Sequence, residues 1–477
     1  MNLSASVISL REGRPWMTNL VLCLFGLGLV LLSRQFVSES HRFTIGFSGC
    51  SGWSAILYVA SIIVILTQPT NRTSFWMVIG FAVVFRAMDI FADPFSSSDI
   101  YRYVWDGMVQ HAHISPYLYV PGDPVLSFLR APHQHIFDNI NRRDYAHTIY
   151  PPVAQIIYWF VTFFSPTIFA MKVAMFGFEC VTVGALLALL RGLGRPRIQI
   201  LLYAWCPLLV WEIGGAGHID AAVFAFVTLA LLFRYREQPI LTGLFLGLAV
   251  MTKFYPLVLL PALYKRRDWK MPATFAAVCG LVYLPYLSVG KLVFGFLFGY
   301  TQEEGIDSGA RFFLLELAQR LRGLERLPVI AYMIFCAAVL GGISYWAWRR
   351  ASEESNRAWT TQSVNPPFLR AAMLLGFAMM LLFSPHYPWY IVWLIPLFTL
   401  TPNLPLLTYL MAFFYLFTTA LANPGPTMFL LNEILYGAVA LAFLLNAVLA
   451  GYSGLGSMFS SPASKRGSKS ASVKQLD

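Results

Sequence analysis

The chain has 477 residues, 57% of them hydrophobic and 12% charged, with 39 Phe, 23 Tyr and 13 Trp and a mean hydropathy of +0.62. A soluble domain carries about a quarter charged residues, so this composition excludes one and points to an all-α polytopic membrane protein. The net charge of +11 does not indicate nucleic acid: Lys and Arg gather in short connections between apolar runs, as cytoplasmic loops do.

The N-terminal stretch "MNLSASVISLREGRPW" lacks the order of a cleaved signal, a charged n-region leading into an apolar core and a small-residue cleavage site. Arg11 and Arg14 are expected to hold the start of the first helix in the cytoplasm. Apolar runs at about 16–33, 52–67 and 74–91 then leave the chain outside. A polar and aromatic loop, 92–150, follows. "TIYPPVAQIIYWFVTFFSP" (148–166) opens on a double proline and has a short apolar part, so a juxtamembrane or re-entrant helix is expected there. The run 169–190 returns to the cationic cluster Arg191/Arg195/Arg197.

The alternation then becomes regular. The run 199–213 goes out, 221–233 returns to Arg234/Arg236, and 239–264 makes a hairpin with Lys253 near its turn, ending at Lys265. The run 272–289 goes out, an amphipathic outer segment covers 291–326, 328–348 returns to Arg349/Arg350, and 368–383 goes out again. Three further runs end near Tyr452. The expectation is one integral-membrane domain, 1–452, of roughly twelve to fourteen spans, with a disordered cytoplasmic tail over 453–477 and both termini inside. The six cysteines are scattered without CxxC or metal spacing, so neither a disulfide framework nor a zinc site is expected.

Under this topology four polar groups of residues face the same extracytoplasmic side: Asp99, Arg102, Tyr103 and Asp106 in "SSSDIYRYVWDG"; Glu212, His218 and Asp220 in "WEIGGAGHID"; Lys253 and Tyr255 in "MTKFYP"; and His386, Tyr387, Trp389 and Tyr390 in "FSPHYPWY". Ionisable residues near the membrane are costly to keep and suggest function. Each group also has a purely structural reading. Ser96 and Asp99 fit a capping box, with Ser96 as the N-cap, and Asp99, Arg102 and Asp106 share a helix face as an ion-pair ladder would. His218 and Asp220 fit a helix cap, Lys253 a snorkelling side chain, and "SPHYPWY" an aromatic-belt turn. Their coincidence on one face is the evidence for a site.

Carboxylate, lysine, histidines and arginine at that face suit transfer from a lipid-linked, phosphate-bearing donor. A departing phosphate needs positive charge, for which Lys253 and Arg102 are candidates, with His218 or His386 as hydrogen-bond donors. The acceptor hydroxyl needs an ionised base on the far side of the anomeric carbon. Asp99 fits, with Arg102 one turn away to keep it charged, which implies one inverting displacement. No Gly-rich phosphate loop or dinucleotide fingerprint is present, so a soluble nucleotide-sugar donor is not expected.

"SSSDIYRYVWDGMVQHAHISPYLYVP" followed by "TIYPPVAQ" resembles the first outer loop of bacterial GT-C glycosyltransferases, polyprenyl-phosphate-sugar-dependent and mostly mannosyltransferase-like enzymes. "AWCPLLVWEIGGAGHIDA", "TKFYPLVLLP" and "SPHYPWYIVWLIP" continue the resemblance, which runs from about Arg86 to Pro396. It implies a GT-C-like fold whose long first outer loop (92–150) is catalytic and contains juxtamembrane helices. It also implies an acidic residue of that loop, here Asp99, as base. Substrate-binding positions fall on Arg102, Tyr103, His218, Asp220, Lys253, His386 and Tyr387. Many relatives carry a paired acid where this chain has Ser98-Asp99. That leaves Asp99 to act alone and gives no indication of a metal or other cofactor, and nothing in the spacing selects Asp89 or Asp93 as a second acid. The expected partners are a polyprenyl-phosphate-linked sugar, mannose first, a glycan or lipid-linked acceptor, and the bilayer of the inner membrane, with no nucleic acid. Two other readings stand beside this one. A transporter or flippase would show repeated interrupted helices, and a scaffold subunit would have lost its chemistry.

Overall fold

The computed structural model describes residues 13–39, 44–354, 366–423 and 427–459, all regular structure among them being helical. The membrane helices begin α1 Pro15–Glu39, α2 Ile45–Thr67 and α3 Arg72–Ile90. The segment after α3 contributes α4 Asp99–His111 and α5 Pro152–Phe164, and α6 Ile168–Gly192 is the next helix long enough to cross. Among the described residues seven helices are long and apolar enough to cross a membrane, or nine if the bent pairs Arg197–Ala204 + Pro207–Gly215 (54°) and Lys270–Leu281 + Leu284–Glu303 (81°) each count once. The larger number expected from hydropathy includes Pro239–Val250 and Pro367–Phe383, and Pro152–Phe164 is short in keeping with the juxtamembrane or re-entrant helix expected there. At 1.5 Å per residue these fall short of a bilayer core of about 30 Å. The chain is a multi-pass membrane protein.

The helices pack as membrane helices do, through small residues. The buried face of α2 includes Ser48, Ser51, Ser54 and Ser61, three to seven residues apart, beside Phe47, Tyr58 and Ile62. Ser51 shares a 2.5 Å hydrogen bond with Thr418 of the late helix Leu404–Ala422. The opposite, lipid-facing stripe of α1 exposes Leu20, Leu24, Leu27 and Leu31, a surface that water would not tolerate. Asn71 caps α3 through a reciprocal capping box with Ser74. Deeper in, Arg86 pairs with Glu179 at 2.9 Å and reaches the Ala204 carbonyl, tying α3 to α6 and to the first bent pair.

Chain direction sorts the polar residues between the two ends. At one end Tyr235 bonds the Gly192 carbonyl at 2.5 Å, Lys265 pairs with Glu237 at 3.0 Å and Arg266 lies over Trp348, so the cationic connections share that end. α3 then carries the chain across to the loop bearing Asp99. The hairpin after Pro239–Val250 turns at Lys253, as expected, and its Met251 carbonyl accepts from Val153 N–H of α5 at 2.9 Å. The last helix, Met428–Phe459, runs into the stretch expected as a tail. Residues 460–477 and Arg11 lie outside the described residues.

α4 and α5 pack at near contact because Gly107 has no side chain. A Cβ there would sit 2.7 Å from the Tyr158 carbonyl oxygen and closer still to Thr162 Oγ1. Gly107→Ala is therefore expected to destabilise by about 1–3 kcal/mol through overpacking, whereas Gly177→Ala, with nothing within 4 Å, is expected to cost nothing. Thermal unfolding of the two variants in detergent checks the difference.

Candidate active site

The residues "WEIGGAGHID" form the floor of the site. Val210–Gly215 is wound as a π-turn, a local widening often found at functional sites. The two glycines let it press against the α3 end: a Cβ on Gly214 would meet Asp89 Cβ at 3.0 Å, and one on Gly215 would enter the Phe95 ring. Gly217 has φ +73°, so the chain can reverse and start the helix Asp220–Tyr235 beneath it. This brings Glu212 Oε2 to 3.3 Å from His218 Nε2 with both side chains buried. The pair is not aligned as a hydrogen bond, and neither ring nitrogen finds another partner among the described residues. Burial, with the Lys253 ammonium adding to it, holds His218 well below the ordinary imidazole range, so the ring is neutral at pH 7. It stacks on Trp389 at 4.7 Å.

Asp220 is completely buried and is satisfied by the hairpin turn. Lys253 Nζ lies 2.6 Å from its Oδ2 and Tyr255 donates to its Oδ1 at 2.8 Å. The Lys253 side chain keeps 13% exposure, enough for its remaining protons to face an occupant. The C-terminal loop closes the same space. After a left-handed Ser384 (φ 44°), the Tyr387 and Trp389 rings stack at 4.5 Å, and Lys253 Nζ stands 5.8 Å from the Tyr390 ring centroid.

Helix α4 adds Asp99, Arg102 and Tyr103, though not in the way the spacing suggested. α4 starts at Asp99 with Ser98 at the N-cap and no side-chain cap. Ser96 has φ +68°, outside the extended region an N-cap usually adopts, so it caps nothing, and Ser97 Oγ instead accepts from Asp99 N–H at 3.2 Å. Arg102 does not steady Asp99: it turns to Asp106 at 2.7 Å and to the Ala146 carbonyl at 3.1 Å. Gln155 bonds both Asp106 and Thr148 at 2.9 Å. Arg102 and Asp106 thus form a buried brace holding the segment around Ala146 and Thr148 on α4, the structural reading for Asp106. Asp99 itself is half-buried and accepts a 3.2 Å hydrogen bond from Asn141. Burial raises the Tyr103 and Tyr150 hydroxyls well above the phenol range, with the Asp99 charge the next contributor. Asp220 also raises Tyr103, so both carboxylates act electrostatically on this hydroxyl.

Sequence reasoning missed a second cation. Arg311 is buried, pairs with Glu304 and lies 5.6 Å from the Tyr390 centroid, with Tyr300 bonded to the Tyr390 hydroxyl. His386 sits beside this pair, its pKa lowered first by burial and then by Arg311. The signal lay in "EEGIDSGARFF", where Gly305 (φ +65°) and Gly309 (φ +81°) flank an acid and precede an arginine. Of the upstream acids, Asp93 is exposed, whereas Asp89 is buried against Ser33. Among the described residues no cluster of three or more His, Cys, Asp or Glu could hold a metal ion.

The four groups therefore meet at one end of the bundle. They offer a half-open carboxylate, a buried lysine–aspartate–tyrosine unit, a neutral histidine without a hydrogen-bond partner and a wall of stacked aromatic rings. The family described as alpha-(1->6)-mannopyranosyltransferase, N-terminal domain, matches residues 6–265, and the one described as Glycosyltransferase family 87 matches residues 148–385. No curated protein and no solved structure matches the chain.

Proposed function

We infer that this chain, which belongs to the alpha-(1->6)-mannopyranosyltransferase family and is a membrane glycosyltransferase, takes its sugar, mannose first, from a polyprenyl-monophosphate donor. It passes that sugar to a glycan or lipid-linked acceptor at the extracytoplasmic face. The observation that carries the reading is the buried Lys253–Asp220–Tyr255 unit at the end of the bundle opposite the cationic connections, with Asp99 and Asp220 both within electrostatic reach of Tyr103. A lipid-borne donor reaches such a site from the bilayer, and the cationic end is the cytoplasmic one by the positive-inside rule.

In this reading the acceptor hydroxyl gives its proton to the Asp99 carboxylate as its oxygen bonds the anomeric carbon. The bond from that carbon to the phosphate oxygen breaks on the opposite side, and the phosphate leaves with the electron pair. Lys253 stands ready for the charge that grows there, because Asp220 accepts only one of its three protons. His386 and Tyr387 line the sugar and acceptor space with Tyr103 and His218 buried behind them, while Arg102 acts through the brace that positions α4. One displacement inverts the anomeric centre.

Purified, reconstituted protein supplied with radiolabelled polyprenyl-phosphate mannose and a membrane lipid-glycan extract is expected to move label to the extract, with the anomeric configuration inverted. Turnover with a nucleotide-linked sugar and none with any member of a polyprenyl-phosphate-sugar panel would overturn the donor assignment. A retained configuration would overturn the single displacement.

A further inference from the structure

The end of the bundle opposite the site holds a cavity of about 370 Å³ between the start of α3 and the connection after α6, lined by Thr70, Asn71, Arg72, Trp76, Pro196 and Arg197 among others. Arg72 and Arg197 are both exposed, and no acidic side chain lines the cavity. Neither guanidinium has a hydrogen-bond or ion-pair partner among the described residues. The contrast with a second cavity is informative. That one is also lined by cations, Arg234 and Lys265, but carries Glu237 and Asp268 as well, and Lys265 is already paired with Glu237 at 3.0 Å.

Three further features favour an anion with an apolar body. The first backbone N–H groups of α3, a 19-residue helix, point towards this end and add partial positive charge. Trp76 is 56% exposed, one turn into the helix, where interfacial tryptophans contact lipid at headgroup depth. α3 is long enough, at about 28 Å by the 1.5 Å rise per residue, to set the cavity at the leaflet opposite the site. We propose that this cavity binds the headgroup of an anionic phospholipid, its phosphate between Arg72 and Arg197 and its acyl chains along Trp76. Basic pockets between membrane helices recognise such headgroups by charge, and a guanidinium matches a phosphate through paired N–H donors.

The test is independent of the transfer reaction. Delipidated full-length protein in neutral detergent is titrated with phosphatidylglycerol or with phosphatidylcholine of the same acyl chains, and bound lipid is counted by native mass spectrometry. Wild type is expected to retain phosphatidylglycerol at concentrations where phosphatidylcholine is lost. The double variant Arg72→Gln/Arg197→Gln is expected to bind it about thirtyfold more weakly, since each basic residue near a lipid surface contributes roughly fivefold. Arg72→Lys/Arg197→Lys, which keeps the charge, is expected to retain most of the preference. Unchanged binding in the Gln variant, equal binding of the two lipids by wild type, or displacement by millimolar inorganic phosphate, which would mark a site for soluble anions, would each overturn the proposal. Both guanidiniums are exposed and pair with nothing among the described residues, so the variants are expected to elute and melt as wild type does.

Discussion

Asp99→Asn is expected to lower turnover by at least about a hundredfold, the loss typical of a missing general base, in a protein that remains folded. Asparagine has the shape of aspartate but cannot take the acceptor's proton. The single described side-chain partner of Asp99, Asn141 at 3.2 Å, can keep donating to the carboxamide oxygen, and the half-exposed position leaves no buried charge behind. The loss should fall on kcat with KM little changed, because an interaction made only in the transition state is the one removed. Steady-state transfer at matched folded amounts checks this. Full turnover in the variant would exclude Asp99 as base and move the search to Asp93, which is exposed, or Asp220, which would first have to leave Lys253.

Lys253→Met is expected to produce the largest loss of stability, about 3–5 kcal/mol, because it strands the fully buried Asp220 carboxylate without a cation. Tyr255 would remain as its only described hydrogen-bond donor. Adding Asp220→Asn removes the stranded charge and should restore most of the stability, as shown by thermal unfolding in detergent. It should not restore transfer, since the ammonium facing the departing phosphate is still missing; a loss of about a hundredfold or more in kcat is expected of one electrostatic stabiliser. If the double variant melts normally and turns over normally, Lys253 serves only to neutralise Asp220. A single variant as stable as wild type would show that the pair does not carry opposite charges.

The legible and illegible parts of this protein divide by range. The proline that opens Pro152–Phe164 and the turn at Lys253 follow from spacing and local chemistry, and the structure bears them out. Arg102 shows where local reasoning stops. It lies three residues after Asp99 and four before Asp106, both permitted on a helix face. What decided between them was the Ala146 carbonyl and Gln155, 44 and 53 residues along the chain from Arg102, which complete the brace on the Asp106 side. Ser96 failed as a cap because the loop holds its backbone at φ +68°, a constraint set by what surrounds the loop. Arg311 could not be placed at all, since its neighbour Tyr390 is 79 residues away in the chain.

By itself, then, the sequence determined an all-helical membrane chain, an alternation that sends its cations to one end and its catalytic-type residues to the other, and a glycosyltransferase resemblance that the family matches bear out. These follow from properties summed along short windows, apolar length and charge position, which the bilayer reads one helix at a time. Only the tertiary structure decided which carboxylate meets which cation. Asp220 is held by Lys253, Asp106 by Arg102 and Glu304 by Arg311, and Asp99 alone of the four is left half-open with an amide for company. A buried charge takes whichever partner packing brings within about 3 Å in a low-dielectric interior, and that choice is made between helices far apart in the chain.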